Sequence, residues 1–245
     1  MIYLSGFHAI EERIKSGRSC GPLLLAKPGP RAREIVDLAV EKKLTVNRVG
    51  TSDLDRLSPD HRGILLSVDE ASPDENVLSL DSFIAGLGNK KEALAVILDE
   101  ITDPHNYGAI LRSCDQFRAD IVITRKRRIA KYAQVIAQTS AGASAWVPVT
   151  EAPNLQRAVE ILKEAGFWIY GADMDGENAW DRDLTGRTAL IFGGEGSGVS
   201  RILRESCDAL IAIPQKGRLD SLNVSVAAGV ILYEVNRQRS KPKSR

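Results

Sequence analysis

Two small-residue loops in the last third of the chain have the residue types to hold a ligand against bare backbone. Gly193-Gly194-Glu195-Gly196-Ser197-Gly198 follows the apolar run 188–192, and Pro214-Gln215-Lys216-Gly217 follows Ile211-Ala212-Ile213. Each run reads as a buried strand. A glycine loop at a strand end lets backbone amides approach a ligand closely. Ser221-Leu222-Asn223 opens the final helix just beyond, so the loops point to one pocket with walls from both. The familiar nucleotide loops do not fit. Gly194-Glu195-Gly196 begins a dinucleotide pattern, but Val199 stands at its third glycine, and Pro214 replaces the acid that would hold a ribose. No Lys-Ser or Lys-Thr pair completes a phosphate loop there.

A third segment, Asp103-Pro104-His105-Asn106-Tyr107-Gly108, leads into a helix expected over 108–117. Asn106 sits in the loop near its start, and Arg112 lies among Ile110, Leu111 and Cys114. A guanidinium on so apolar a helix is costly unless paired. Two readings stand. Either Asn106 caps the helix and Arg112 reaches the surface, or both are held for chemistry. Glu195 is likewise a surface loop acid or a site residue, and Ser221 and Asn223 are helix caps, site residues, or both.

The frame for these residues is read from hydrophobic period. Residues 4–16, 31–43 and 52–57 have helical spacing, and 22–26, 44–49 and 63–68 read as strands, which makes a small α/β unit. Residues 69–92 turn acidic and then glycine-rich and read as a linker with a short helix at 79–85. From Ala93 the pattern restarts. Strands are expected at 95–98, 121–123, 146–149, 167–171, 188–192 and 211–213, and helices at 108–117, 131–141, 155–165 and 222–238. Continuous apolar strands alternating with helices indicate a mostly parallel sheet covered on both faces.

Composition adds few constraints. The 245 residues are 43% hydrophobic and 27% charged, with a net charge of +1, so bulk electrostatics do not announce a nucleic-acid partner. Local charge is stronger at Arg125, Lys126, Arg127, Arg128 and Lys131, and in the tail at Arg237, Arg239, Lys241, Lys243 and Arg245. These are solvated segments or nucleic-acid contacts. Cys20, Cys114 and Cys207 are odd in number and far apart, which fits a reducing compartment. His8, His61 and His105 lack metal-ligand spacing, and no metal is expected. No signal pattern or membrane-length apolar run is present, so a cytoplasmic protein with no membrane partner is expected.

Together, Asn106-x-Gly108-x-x-x-Arg112, Gly194-Glu195-Gly196, and Ile213-Pro214 with Ser221-Leu222-Asn223-Val224-Ser225-Val226-Ala227 resemble, in order, the three motifs of the SpoU-type RNA 2′-O-ribose methyltransferases of the SPOUT superfamily. The resemblance spans 93–239. Gly6-Phe7-His8-Ala9-Ile10 and His61-Arg62-Gly63-Ile64 resemble the subgroup that carries a small ribosomal-protein-L30-like domain and acts on a guanosine of 23S rRNA. The resemblance implies an L30e-like RNA-binding domain over 1–70, a linker over 71–92 and a SPOUT domain over 93–245. It also implies a deep trefoil knot, which general topological rules would exclude. S-adenosylmethionine would lie bent in that knot, and the protein would be a homodimer with its pockets near the interface.

The family's roles fall on particular residues here. Arg112 matches the residue nearest the acceptor hydroxyl, described in the family as the base. A guanidinium stays protonated, so the physical alternative is that Arg112 clamps phosphate or ribose while a phosphate oxygen takes the proton. Glu195 would hold Arg112 or the ribose, Asn106 and Asn223 would position these groups, and Ser221 would orient the arginine. Gly193, Ile213 and Leu222 match cofactor-contacting positions, and Gly194 and Gly198 complete the set. Ser140-Ala141-Gly142-Ala143 resembles a family segment and is assigned to packing. Tyr107 and Gln215 depart from the usual apolar residues, so cofactor affinity is the property expected to differ. With Tyr3 and Phe7 its only aromatics, the first domain is expected to read RNA shape and backbone. The substrate is expected to be rRNA. The alternatives are tRNA, or a non-catalytic RNA-binding protein of the same fold, against which the intact site residues argue.

Overall fold

The computed structural model describes residues 2–17, 19–68, 78–125, 133–218 and 221–240. In chain order the strands are β1 (Ile2–Leu4), β2 (Leu23–Leu25), β3 (Val46–Arg48), β4 (Ile64–Val68), β5 (Ala93–Leu98), β6 (Ile121–Thr124), β7 (Val149–Glu151), β8 (Trp168–Asn178), β9 (Arg187–Phe192) and β10 (Ala209–Ala212). The helices are α1 (Phe7–Lys15), α2 (Pro30–Glu41), α3 (Thr51–Leu57), α4 (Leu80–Leu87), α5 (Pro104–Gln116), α6 (Ala133–Thr139), α7 (Leu155–Glu164), α8 (Arg201–Glu205) and α9 (Val224–Ser240). They form two compact units, residues 1–75 with 128–146, and residues 76–127 with 147–245.

The first unit is a mixed sheet of order β1-β4-β2-β3. β4 runs antiparallel to β1 and β2, and β2 runs parallel to β3. Ile10 and Ile14 of α1 and Ile35 and Ala39 of α2 are buried with Leu23, Ile64 and Leu66. The helix expected from Leu4 begins instead at Phe7, because Ile2, Tyr3 and Leu4 pair with Val68, Ser67 and Leu66. Buried His61 accepts from the Gly63 amide at Nδ1 (2.8 Å) and contacts Asp55 through Nε2 (3.1 Å), which braces the turn where Arg62 takes φ 49°.

α6 also belongs to this unit, although the sequence alternation assigned it to the parallel sheet. Ala137 is buried in the first core, Gln138 Nε2 donates to Ser5 Oγ, and Trp146 Nε1 donates to Glu12 at 2.7 Å. Gly142, at φ +90°, lies so close to α1 that a Cβ there would sit 2.6 Å from Glu12 Cβ. The basic residues Lys126, Arg127, Arg128 and Lys131, and the tail residues Lys241, Lys243 and Arg245, lie outside the described residues.

The second unit is a six-stranded sheet of order β10-β8-β9-β5-β6-β7 in which every pairing is parallel. All six residues of β5 are buried, as a central strand covered on both faces requires. Ala93, Ala95 and Ile97 pack with α4, α7 and α8 through Phe83, Leu87, Leu155, Val159, Leu162 and Leu203. α4 is the short helix read within the linker, and it is part of this core. Leu94, Val96 and Leu98 point to the opposite face, which α5 and α9, packed on each other, cover. The end of α9 is pinned there. The Arg239 guanidinium donates to the carbonyls of Ala93 (3.0 Å) and Gly186 (2.8 Å), so this part of the basic tail is structural.

Two features prepare a site at the carboxyl ends of these strands. First, β5 leads through α5 to β6 on one side, and β9 leads through α8 to β10 on the other. The strand order therefore reverses between β5 and β9, where open parallel sheets form a crevice. Second, β8 is longer than expected and breaks register against β10. Leu210 pairs with Gly171 but Ile211 pairs with Glu177, so residues 172–176 bulge from the sheet.

Candidate active site

α5 starts earlier than the sequence pattern placed it. Asp103 is the N-cap, accepting from the His105 amide at 3.0 Å, and Pro104 takes the first helical position. Asn106 is thus inside the first turn, it is not the cap, and its side chain is available for long-range contacts. Its Nδ2 donates to Glu195 Oε1 at 2.7 Å. Asn223 Nδ2 donates to the same Oε1 at 2.9 Å and to Asn106 Oδ1 at 3.0 Å. Asn106 is buried and Glu195 is exposed, so the network runs from the core to an open carboxylate. Glu195 Oε2 accepts no hydrogen bond among the described residues. Asn223 caps α9 as well, because its Oδ1 accepts from the Ser225 amide at 3.0 Å. Asn223 is thus a helix cap and a member of the network at once.

The loop after β9 is closed more tightly than any side chain would allow. A Cβ on Gly193 would sit 1.9 Å from the Gly198 carbonyl carbon, and one on Gly194 would sit 2.9 Å from the Glu100 carbonyl oxygen. Gly196 and Gly198 have φ of +84° and +62°, which favour glycine. Sequence reasoning missed the anchor of this loop. Asp99, fully buried at the end of β5, accepts from the Ser200 amide at 2.9 Å through Oδ2, while its Oδ1 has no partner among the described residues. An acid directly following a buried strand was the available signal.

A cleft of about 480 Å³ opens beside this loop, within the usual range for small-ligand sites. Gly193, Gly194, Gly198, Ile213 and Leu222 line it, together with Glu195, Ser221 and Asn223. Gln215 lines it too. The bulge of β8 supplies a third wall that the sequence did not reveal. Asp173 accepts from Arg204 Nη1 at 2.6 Å, Asp175 accepts from Nη2 at 3.3 Å, and all three line the cleft. A second cleft, of about 670 Å³, also borders the glycine loop and is lined by Asn106, Glu195 and Arg125 among others.

Of the predicted catalytic residues, Asn106, Glu195 and Asn223 form the network, Ser221 lines the first cleft beside it, and Arg112 is brought to neither. It is exposed and lines neither cleft. Six residues along a helix turn a side chain by roughly 240°, so Arg112 and Asn106 leave α5 on different faces. Nearby, α9 presents Val226, Val230 and Tyr233 to solvent, exposed by 51%, 42% and 54%. These positions fall on one face of the helix.

Fold and site together define a parallel α/β protein whose ligand cleft is built from strand-end loops. Residues 93–233 match the SpoU rRNA methylase family, and residues 3–73 match the RNA 2′-O ribose methyltransferase substrate-binding domain. The chain belongs to the SpoU methylase family. A protein of Staphylococcus haemolyticus assigned to the TrmH family of tRNA/rRNA methyltransferases is 39% identical, over 97% of this chain and 96% of the relative. The SpoU methyltransferase AviRb from Streptomyces viridochromogenes, solved in complex with AdoMet, is 27% identical with a TM-score of 0.78, over 97% of this chain and 90% of that one. The A. aeolicus TrmH/SpoU tRNA modifying enzyme is 33% identical with a TM-score of 0.53, over 65% of this chain and 82% of that one.

Proposed function

We propose that the protein transfers a methyl group from S-adenosylmethionine to a ribose 2′-hydroxyl of RNA, with a guanosine of 23S rRNA as the target. The observation that carries this reading is the convergence of Asn106, Glu195 and Asn223 at the rim of the glycine-walled cleft. The cleft suits the cofactor. Gly193, Gly194, Gly198, Ile213 and Leu222 would hold its adenosine against backbone, and the Asp173–Arg204 pair offers both signs of charge to its amino-acid end. S-adenosylmethionine supplies a methyl carbon already activated by a sulfonium.

The protein's tasks are alignment and management of the hydroxyl proton. Asn106 and Asn223 fix Glu195 through Oε1, which leaves Oε2 to orient the ribose. Ser221, on the same cleft, helps to seat the reacting groups. Arg112 clamps the substrate phosphate, and a phosphate oxygen takes the proton. A second copy delivers Arg112. Two observations support this. Arg112 is exposed on α5, and α5 packs on α9, which carries the uncovered apolar face Val226, Val230 and Tyr233. The protein is thus a homodimer, and the crowding of Gly193 on Gly198 belongs to a trefoil knot. Residues 1–70 bind RNA, and 93–245 carry the chemistry.

The match of residues 3–73 to an RNA 2′-O ribose methyltransferase substrate-binding domain supports an RNA substrate. The A. aeolicus tRNA enzyme aligns with only 65% of this chain, whereas AviRb aligns with 97%. With that substrate the protein works in the cytoplasm. Incubation with labelled cofactor and either 23S rRNA or tRNA tests the choice. Label in 23S rRNA alone is expected, and label in tRNA alone would reverse it.

A further inference from the structure

The second cleft lies at the point where the strand order reverses. Glu100 and Thr102 follow β5, Gly194 and Glu195 follow β9, and Arg125 follows β6. This is the crevice at the carboxyl ends of the strands where parallel sheets seat ligands. The two clefts adjoin at the loop 194–197, because Gly194, Glu195 and Ser197, with Val224 of α9, line both. A methyl acceptor must reach the methyl carbon from the side opposite the leaving sulfur, and a cleft that shares its rim with the first gives it access. Its volume of about 670 Å³ is of the size that admits a nucleotide.

Charge orients the occupant. Glu100, Asp103 and Glu195 place carboxylates around the cleft, and these accept hydrogen bonds from ribose hydroxyls but repel phosphate. Among the described residues that line it, Arg125 is the one cation. Its ion pair with Glu100 is long, 4.0 Å, with both side chains about half exposed at 51% and 56%. A pair so open is weak, and a phosphate accepting two guanidinium hydrogens displaces it readily. We infer that this cleft is the subsite for the acceptor nucleotide, with Arg125 binding one of its two flanking phosphates and Arg112 clamping the other, while the acidic residues receive the ribose. This rests on the methyl-transfer reading and adds to it a site and a specificity residue.

The test compares Arg125→Ala with Arg201→Ala, a control that removes an exposed, ion-paired charge from α8, outside both clefts. Steady-state methylation of 23S rRNA and cofactor binding are measured across a salt series. Arg125→Ala is expected to raise the RNA KM about tenfold, to lower the dependence of log KM on log salt by about one contact, and to leave cofactor affinity unchanged. Arg125→Lys is expected to recover the salt dependence but not the full KM. An unchanged KM in Arg125→Ala, or an equal rise in Arg201→Ala, would overturn the subsite while wild-type methylation still stood. Absence of methylation by the wild type on any RNA would instead remove the underlying reading.

Discussion

Asn106 donates its Nδ2 hydrogen to Glu195 Oε1 at 2.7 Å, joining the first turn of α5 to the glycine loop after β9. Because Asn106 is buried, losing its partner leaves a desolvated donor unpaired. Asn106→Ala and Glu195→Ala are therefore expected to be non-additive. The double variant should lose less turnover than the sum of the singles, with a coupling of about 1 kcal/mol or more in kcat/KM. Strict additivity would show that the bond does not act as a unit.

Asn223 bonds both the start of α9 and Glu195, and its variants should separate the two. Asn223→Ala removes the cap on α9 and should cost about 1 kcal/mol of stability along with turnover. Asn223→Asp keeps an oxygen for the Ser225 amide but sets a second carboxylate beside Glu195 and removes the donor to it. Thermal unfolding near the wild type with turnover lost is the expected result. An active Asn223→Asp would reduce Asn223 to a cap.

The glycine loop gives a steric contrast. Gly193→Ala would drive a methyl into the Gly198 backbone, whereas Gly186→Ala meets nothing within 4 Å. Titration with S-adenosylmethionine should find no binding by Gly193→Ala, and unfolding should find it destabilised by about 2 kcal/mol. Gly186→Ala should match the wild type in both.

Cys207 provides a pH signature of the core. Burial pushes its thiol up from the ordinary 9.0 to about 11, against the pull of Lys163. The folded state thus holds the proton more tightly than the unfolded chain does. The contribution to stability is fully present below pH 9 and is lost as pH rises through about 11. Urea unfolding of wild type and Cys207→Ala across this window should show the wild-type curve falling more steeply. Parallel curves would mean that the thiol is no more desolvated than in the unfolded chain.

What the sequence made legible was local. The apolar runs before Gly193 and Pro214, and the motif spacings around Asn106, Glu195 and Asn223, carried the parallel sheet, the cleft and the family. Long-range packing was not legible. α6 has a helical pattern between two strands of the second unit, yet Ala137 is buried in the core of the first. Nothing in its period names its partner. The third wall was hidden for a similar reason. The register break between Gly171 and Glu177 depends on pairing with β10, so the Asp173–Arg204 contact could not be read from either segment alone. Arg112 sits among apolar neighbours in sequence but faces solvent, because those neighbours fall on the other side of α5.

The most direct test of the central claim is to digest 23S rRNA treated with wild type or Asn106→Ala and labelled S-adenosylmethionine, and to identify the methylated nucleoside by mass. The expected product is 2′-O-methylguanosine from the wild type, with Asn106→Ala reduced to a small fraction. A methyl group on a base, or full activity in Asn106→Ala, would contradict ribose methylation at the Asn106–Glu195–Asn223 site.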